Sequence, residues 1–129
     1  MAAALPPGLS ERDLAGPALR GFFGIADAWE LSEKEQIAIL GLTSRSTLKS
    51  WKSGRVTRIS HDTLERISCV FGIFKAINIL LPNAERADEW IRRDNTAPLF
   101  GGGSALERMT SGNIADLYLV RRYLDAERG

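Results

Sequence analysis

The sequence predicts an all-α protein, an N-terminal helix-turn-helix bundle followed by a small C-terminal helical module. Three observations carry that expectation. No β-branched run alternates apolar with polar residues, so nothing reads as a strand. Apolar residues recur at three- and four-residue spacings along the chain, the period of an amphipathic helix. Ser32, Gly41, Ser60, Pro82, Ser104 and Gly112 bound those stretches, and each is a residue type that starts or stops helices.

Residues 1–16 read as a flexible leader rich in Ala, Pro and Gly. The opening residues lack a basic stretch and a long apolar core, so they are not a secretory signal. Residues 17–81 are expected to form the helix-turn-helix unit and 82–129 a C-terminal unit. With 129 residues, the chain is one domain or two small helical units sharing a core. The first helix is expected over 17–29, with Leu19, Phe22, Phe23, Ala26 and Trp29 inward.

The next helix opens on Ser32 with Glu35 three positions later, the spacing of a capping box. Ile37 and Leu40 are its expected inward stripe, with Ala38 small where a partner helix crosses. Gly41 ends it in a left-handed turn, and Leu42 plugs that turn. Thr43 or Ser44 then caps a short helix whose Leu48 and Trp51 face inward.

That short helix turns polar, basic side chains outward. Residues 45–58 hold five basic residues (Arg45, Lys49, Lys52, Arg55 and Arg58) and no acidic one, whereas the whole chain is nearly balanced at +1. Cations that neutralise phosphates release counterions, which supplies much of nonspecific DNA affinity. Ser44, Ser46, Thr47 and Ser50 are short donors suited to phosphate oxygens or base edges. A helix pair with this turn and this basic outer face fits a DNA major groove. The plainer alternative is a solvated basic face. The nine expected DNA contacts are Ser44, Arg45, Ser46, Thr47, Lys49, Ser50, Lys52, Arg55 and Arg58.

Ser60 is expected to cap a long helix reaching about residue 81, stopped by Pro82. Leu64, Ile67, Phe71, Phe74 and Ile77 form its stripe, widened by Val70, Ile73 and Leu80, so more than one neighbour must cover it. Its most apolar stretch, 67–81, is broken by Lys75 and Asn78 and is shorter than the roughly 20 residues of a membrane span. The lone Cys69 sits on its apolar face and has no cysteine to pair with, which fits a reducing cytoplasm.

Beyond Pro82 the character changes. A short charged helix over 85–93 is followed by a loop, 95–103, built from turn formers around Leu99 and Phe100. Ser104 caps a helix over 105–110, and Gly112 breaks the chain before a last helix over 113–127. Residues 81–129 hold 7 basic and 8 acidic side chains against 10 and 8 before them, so this unit reads as a protein-binding module. Apolar Leu99 and Phe100 on a shaped loop, and a free end from Tyr123 onward, suit partner docking. Alternatively, the loop's two apolar residues plug their own core.

The C-terminal pattern resembles that of the Xre/MbcA/ParS family of bacterial antitoxins. Trp90-Ile91, Asn95, Leu99-Phe100-Gly101-Gly102, Leu106 with Met109, the break at Gly112 and a final helix closing near Gly129 carry the resemblance. The segment LGLTSRSTLKSWKSGRV, residues 40–56, is similar to the family's DNA-binding segment. Asp94, Phe100 and Ala105 depart from the family's usual pattern. The resemblance implies an antitoxin whose C-terminal module binds and blocks a toxin enzyme, usually a RES-domain toxin that consumes NAD. It also implies repression of its own operon by a homodimer on a palindromic operator. Trp90, Leu99, Phe100, Gly101, Gly102, Tyr123, Leu124, Arg128 and Gly129 are the expected toxin contacts.

Catalysis reads poorly. Ser60, His61 and Asp62 are adjacent, so their side chains diverge and cannot form a relay. One His and one Cys do not make a metal site. The run Gly101-Gly102-Gly103-Ser104 lacks the lysine of a phosphate-binding loop and reads as a tight turn. No cofactor is expected. The competing readings are a free-standing regulator, whose C-terminal unit only dimerises or senses a ligand, and a small enzyme.

Overall fold

The α1 helix, Glu11–Ala28, packs along the long α4, His61–Leu80, and α7, Ile114–Glu127, lies against another side of α4. The computed structural model describes residues 11–56 and 58–129. Between these helices run α2 (Glu33–Leu40), α3 (Arg45–Lys52), α5 (Ala84–Trp90), a single 3-10 turn (Pro98–Phe100) and α6 (Ala105–Met109). Among the described residues there is no strand; one isolated antiparallel bridge joins Asp94 to Ser104.

One boundary and one expected free end differ from the sequence reading. Residues 11–16, assigned to the leader, are helical, and Pro17 stands inside α1. Proline removes one helical hydrogen bond, but burial of Ala15 and Leu19 on either side holds the helix through it. Residues 1–10 of the expected leader lie outside the described residues. The last helix ends at Glu127, as expected, so Tyr123 to Glu127 are helical and not a free end.

The caps form as the sequence spacing requires. Ser32 Oγ accepts from the Glu35 amide at 3.1 Å, and the Glu35 carboxylate accepts from the Ser32 amide at 2.8 Å. Gly41 takes φ 71° and its amide reaches Ala38, closing α2 with a left-handed residue. Ser44, rather than Thr43, caps α3, and Ser60 caps α4. Ser104 caps α6.

Two inward assignments shift. On α2, Ile39 and Leu40 are fully buried with Gln36, whereas Ile37 is only half-buried. Gln36 goes inside because its amide donates to the Leu31 carbonyl at 2.9 Å, satisfying the turn before the helix. On α4 the buried set is Ile67, Cys69, Val70, Ile73, Ala76 and Ile77, while Phe71 is exposed. Covering α4 by α1 and α7 moves the buried stripe off Phe71, which instead lies over Gly21 of α1. One continuous core results, running from Leu19, Phe22 and Trp29 through Leu48, Ile67 and Ile73 to Leu117, Val120 and Leu124.

Candidate nucleic-acid interface and partner module

The α3 helix stands on one anchor. Leu48 is fully buried and Trp51 half-buried, so the opposite face, Arg45, Ser46, Lys49 and Lys52, is open to solvent. Arg55 and Arg58 continue the exposed basic surface beyond the helix. Arg45 pairs with Glu33 of α2, and both side chains remain largely in water, so the pair is weak and exchangeable. Among the described residues no carboxylate pairs with Lys49, Lys52, Arg55 or Arg58. The Lys52 ammonium sits 5.7 Å from the centre of the Phe23 ring, which fixes its position without cancelling its charge. Ser44, Thr47 and Ser50 are partly covered, and Ser44 spends its hydroxyl on the cap and on Ser46 at 2.7 Å.

Two arginines missed by sequence reasoning set how this unit sits. Arg66 of α4 is buried, yet its guanidinium reaches the Ala38 and Ile39 carbonyls at 3.4 and 3.5 Å and the Gly112 carbonyl at 3.0 Å. Its Nε donates to Asp62 at 2.8 Å. Arg92 donates to the Trp29 and Glu30 carbonyls at 2.9 and 2.7 Å, closing α1. Neither α1 nor α2 has a basic residue in its own last turn, so each receives its C-terminal cation from elsewhere. The only hint in the sequence was Asp62 four residues before Arg66, inside an otherwise apolar stripe.

The C-terminal module is knit around its loop. The Asn95 amide donates to Gly103 at 2.9 Å, its side chain accepts from Ala97, and the Leu106 amide reaches Ile91. Phe100, expected to offer its ring to a partner, is 8% exposed. It stands edge-on between Trp90 and Tyr123, with ring centres 6.0 and 5.2 Å away. Phenylalanine enters the core at the end of the 3-10 turn Pro98–Phe100, just before Gly101 turns the chain with a left-handed φ of 56°. Leu124 is likewise buried, at 2%. Leu99 is half-buried, while Gly101 and Gly102, at φ 56° and 88°, are exposed. Trp90, Tyr123 and Leu124 meet Leu80, Leu81 and Glu127 around a shallow cleft of about 170 Å³. Arg128 and Gly129 are exposed past α7.

With that geometry in view, the similarities to known proteins are direct. Residues 8–70 match the antitoxin Xre-like helix-turn-helix domain, and residues 76–129 match the antitoxin Xre/MbcA/ParS C-terminal toxin-binding domain. The chain belongs to the Xre/MbcA/ParS antitoxin family. A relative from Sinorhizobium fredii (strain NBRC 101917 / NGR234), named "Uncharacterized protein y4oB", is 50% identical over 111 residues, covering 86% of this chain and 84% of its own. The antitoxin is therefore a toxin-binding protein with a helix-turn-helix, and neither unit is an enzyme.

The remaining chemistry of the antitoxin is structural. Ser60 caps α4, His61 faces Glu65 at 2.8 Å, and Asp62 holds Arg66, so the three neighbours serve three different contacts. Tyr118 donates to the other Glu65 oxygen at 2.8 Å. That hydrogen bond, then burial, pushes the phenol up to about 12, and the same bond lowers the Glu65 carboxyl. Burial raises the Cys69 thiol, which makes it unreactive. Gly103 lies against the Glu107 carboxylate, which repels an anion from the glycine run. Among the described residues no group of His, Cys, Asp or Glu is arranged for a metal, and no helix is long and apolar enough to cross a membrane.

Proposed function

We propose that this antitoxin neutralises a RES-type, NAD-consuming toxin and represses its own operon by binding DNA as a homodimer through α3. The observation that carries the DNA half is the exposed face of α3 and its extension. Lys49, Lys52, Arg55 and Arg58 lie there with no carboxylate partner among the described residues, around a helix seated by Leu48. Dimeric helix-turn-helix proteins read two half-sites about one DNA turn apart, which suits a palindromic operator. The toxin half is supported by the C-terminal toxin-binding domain. Its RES identity follows from the family resemblance.

On this reading the DNA contacts are Arg45, Ser46, Lys49, Lys52, Arg55 and Arg58, with Ser44, Thr47 and Ser50 holding the helix start and flank. The toxin contacts are the open parts of the loop and end, Leu99, Gly101, Gly102, Arg128 and Gly129, and the cleft edge at Trp90 and Tyr123. Phe100 and Leu124 support those contacts from inside.

The test pairs two assays on the full chain, operator binding and inhibition of the purified neighbouring-gene product. Replacing Arg45 and Lys49 together by Ala should weaken operator binding at least about tenfold and leave neutralisation intact. Leu99→Asp should do the reverse. The reading fails if the neighbouring product neither binds the antitoxin nor consumes NAD. It also fails if both substitutions damage both assays equally while the protein stays folded.

A further inference from the structure

The two large hydrophobic side chains that the described surface leaves exposed are Phe71, 38% exposed, and Ile79, 50% exposed. Both stand on α4, eight residues apart, with Lys75 midway. Positions i, i+4 and i+8 make a row along one helix face. One side of the row borders α1, where Phe71 lies over Gly21. The other borders α7. A Cβ at Gly72 would collide with the Arg121 side chain, so the arginine of α7 lies directly across the bare backbone of α4 there.

Around that contact runs an open surface groove lined by Gly72, Lys75, Arg121, Asp125, Arg128 and Gly129. Three cations surround one carboxylate. Arg121 and Arg128 both approach Asp125, at 3.9 and 3.7 Å, and among the described residues no carboxylate pairs with Lys75. Two guanidiniums sharing one carboxylate at those distances leave the rim positive.

We propose that this face of α4 and α7 docks an acidic segment of the toxin that carries apolar side chains between its carboxylates. The inference rests on the toxin-binding reading and extends the contact surface onto α4, ahead of the loop and tail. Charge and shape choose among three occupants. A nucleic-acid backbone would satisfy the cations but gains nothing from Phe71 and Ile79. A second copy related by a two-fold axis would set Lys75, Arg121 and Arg128 against the same three cations. An acidic, partly apolar protein segment answers both the charge and the apolar row. Ile79 also stands about 20 Å along α4 from Arg66, the residue that touches α2, so toxin and DNA occupy separate ends of the molecule.

The test uses the full chain, the purified neighbouring-gene product and calorimetry. Ile79→Asp and Lys75→Glu should each weaken the complex at least about tenfold. Wild-type affinity should fall as salt rises, and the charge-reversed protein should show a flatter dependence. Circular dichroism should give wild-type melts for both, since both side chains lie outside the core. Toxin affinities within about twofold of wild type in both variants overturn the docking face and leave the toxin-binding reading standing. Failure of the wild-type protein to bind overturns both. Two further results also overturn the proposal when toxin affinity is unchanged. One is loss of duplex-DNA binding by the charge-reversed variant, which gives the face to nucleic acid. The other is loss of a dimer in Ile79→Asp, which gives it to a second copy.

Discussion

Arg66 does more for this molecule than its place in an apolar helix suggests. Helix C-termini leave carbonyls without partners and carry partial negative charge, and α2 ends with no cation of its own. The Arg66 guanidinium supplies one, and it lies so close to the Gly41 turn that a Cβ there would come within 2.7 Å of Cζ. Glycine at 41 is therefore required twice, by its positive φ of 71° and by the space the arginine takes. Gly54 shares the first requirement, at φ 87°, with nothing within 4 Å of its missing Cβ. Gly41→Ala should thus lower stability by more than the roughly 1–3 kcal/mol of a strained left-handed residue, and by more than Gly54→Ala does. Urea midpoints decide it. Equal losses in the two variants would mean that the arginine moves aside at little cost.

Short helices need help at both ends, and α3 shows what kind. Eight residues are too few to hold a helix alone, so the Ser44 cap and the buried Leu48 keep it formed. Its outer face is then left to electrostatics. Among the described residues Glu33 is the carboxylate that contacts that face, through Arg45, and on the proposed reading it competes with DNA there. Glu33→Gln should therefore tighten binding to a random-sequence duplex, whereas Lys49→Ala should weaken it and reduce the slope of log affinity against log salt by about 0.9. Fluorescence anisotropy across a salt series measures both. A weaker complex in Glu33→Gln would show that the Arg45 pair positions the arginine for DNA instead of withholding it.

At the scale of the whole molecule, two recognisable units share one core. α4 contributes Thr63 and Arg66 to the helix-turn-helix, buries Ile73, Ala76 and Ile77 in the shared core, and packs against α7 and α5 as well as α1. Tyr118 of α7 is tied to Glu65 of α4, and Arg92 reaches back to the end of α1. Unfolding should be a single transition, with tryptophan fluorescence and helical circular dichroism superimposing. Leu117 is fully buried on α7, so Leu117→Ala should cost about 2–5 kcal/mol and move both probes together. A separate early loss of signal from one half would instead establish two independently folding units.

The sequence by itself determined the helices, their caps and the basic face of α3. Those depend on neighbours three or four residues away, as with Ser32 and Glu35, Ser44 and Thr47, or Arg45 and Lys49. It also carried the family pattern of the C-terminal loop, because the turn at Gly101 and Gly102 is written in local glycine chemistry. Only the tertiary structure decided which bulky residues face inward. Phe71 stays outside because α1 and α7 divide the α4 surface between them, and Phe100 goes inside because Trp90 and Tyr123 leave an aromatic slot. It alone also placed Arg66 and Arg92 at the ends of other helices, 27 and 63 residues away along the chain. Periodicity can say that a side chain lies on a helix face. Which face is covered, and which distant carbonyl an arginine meets, depends on how the helices pack.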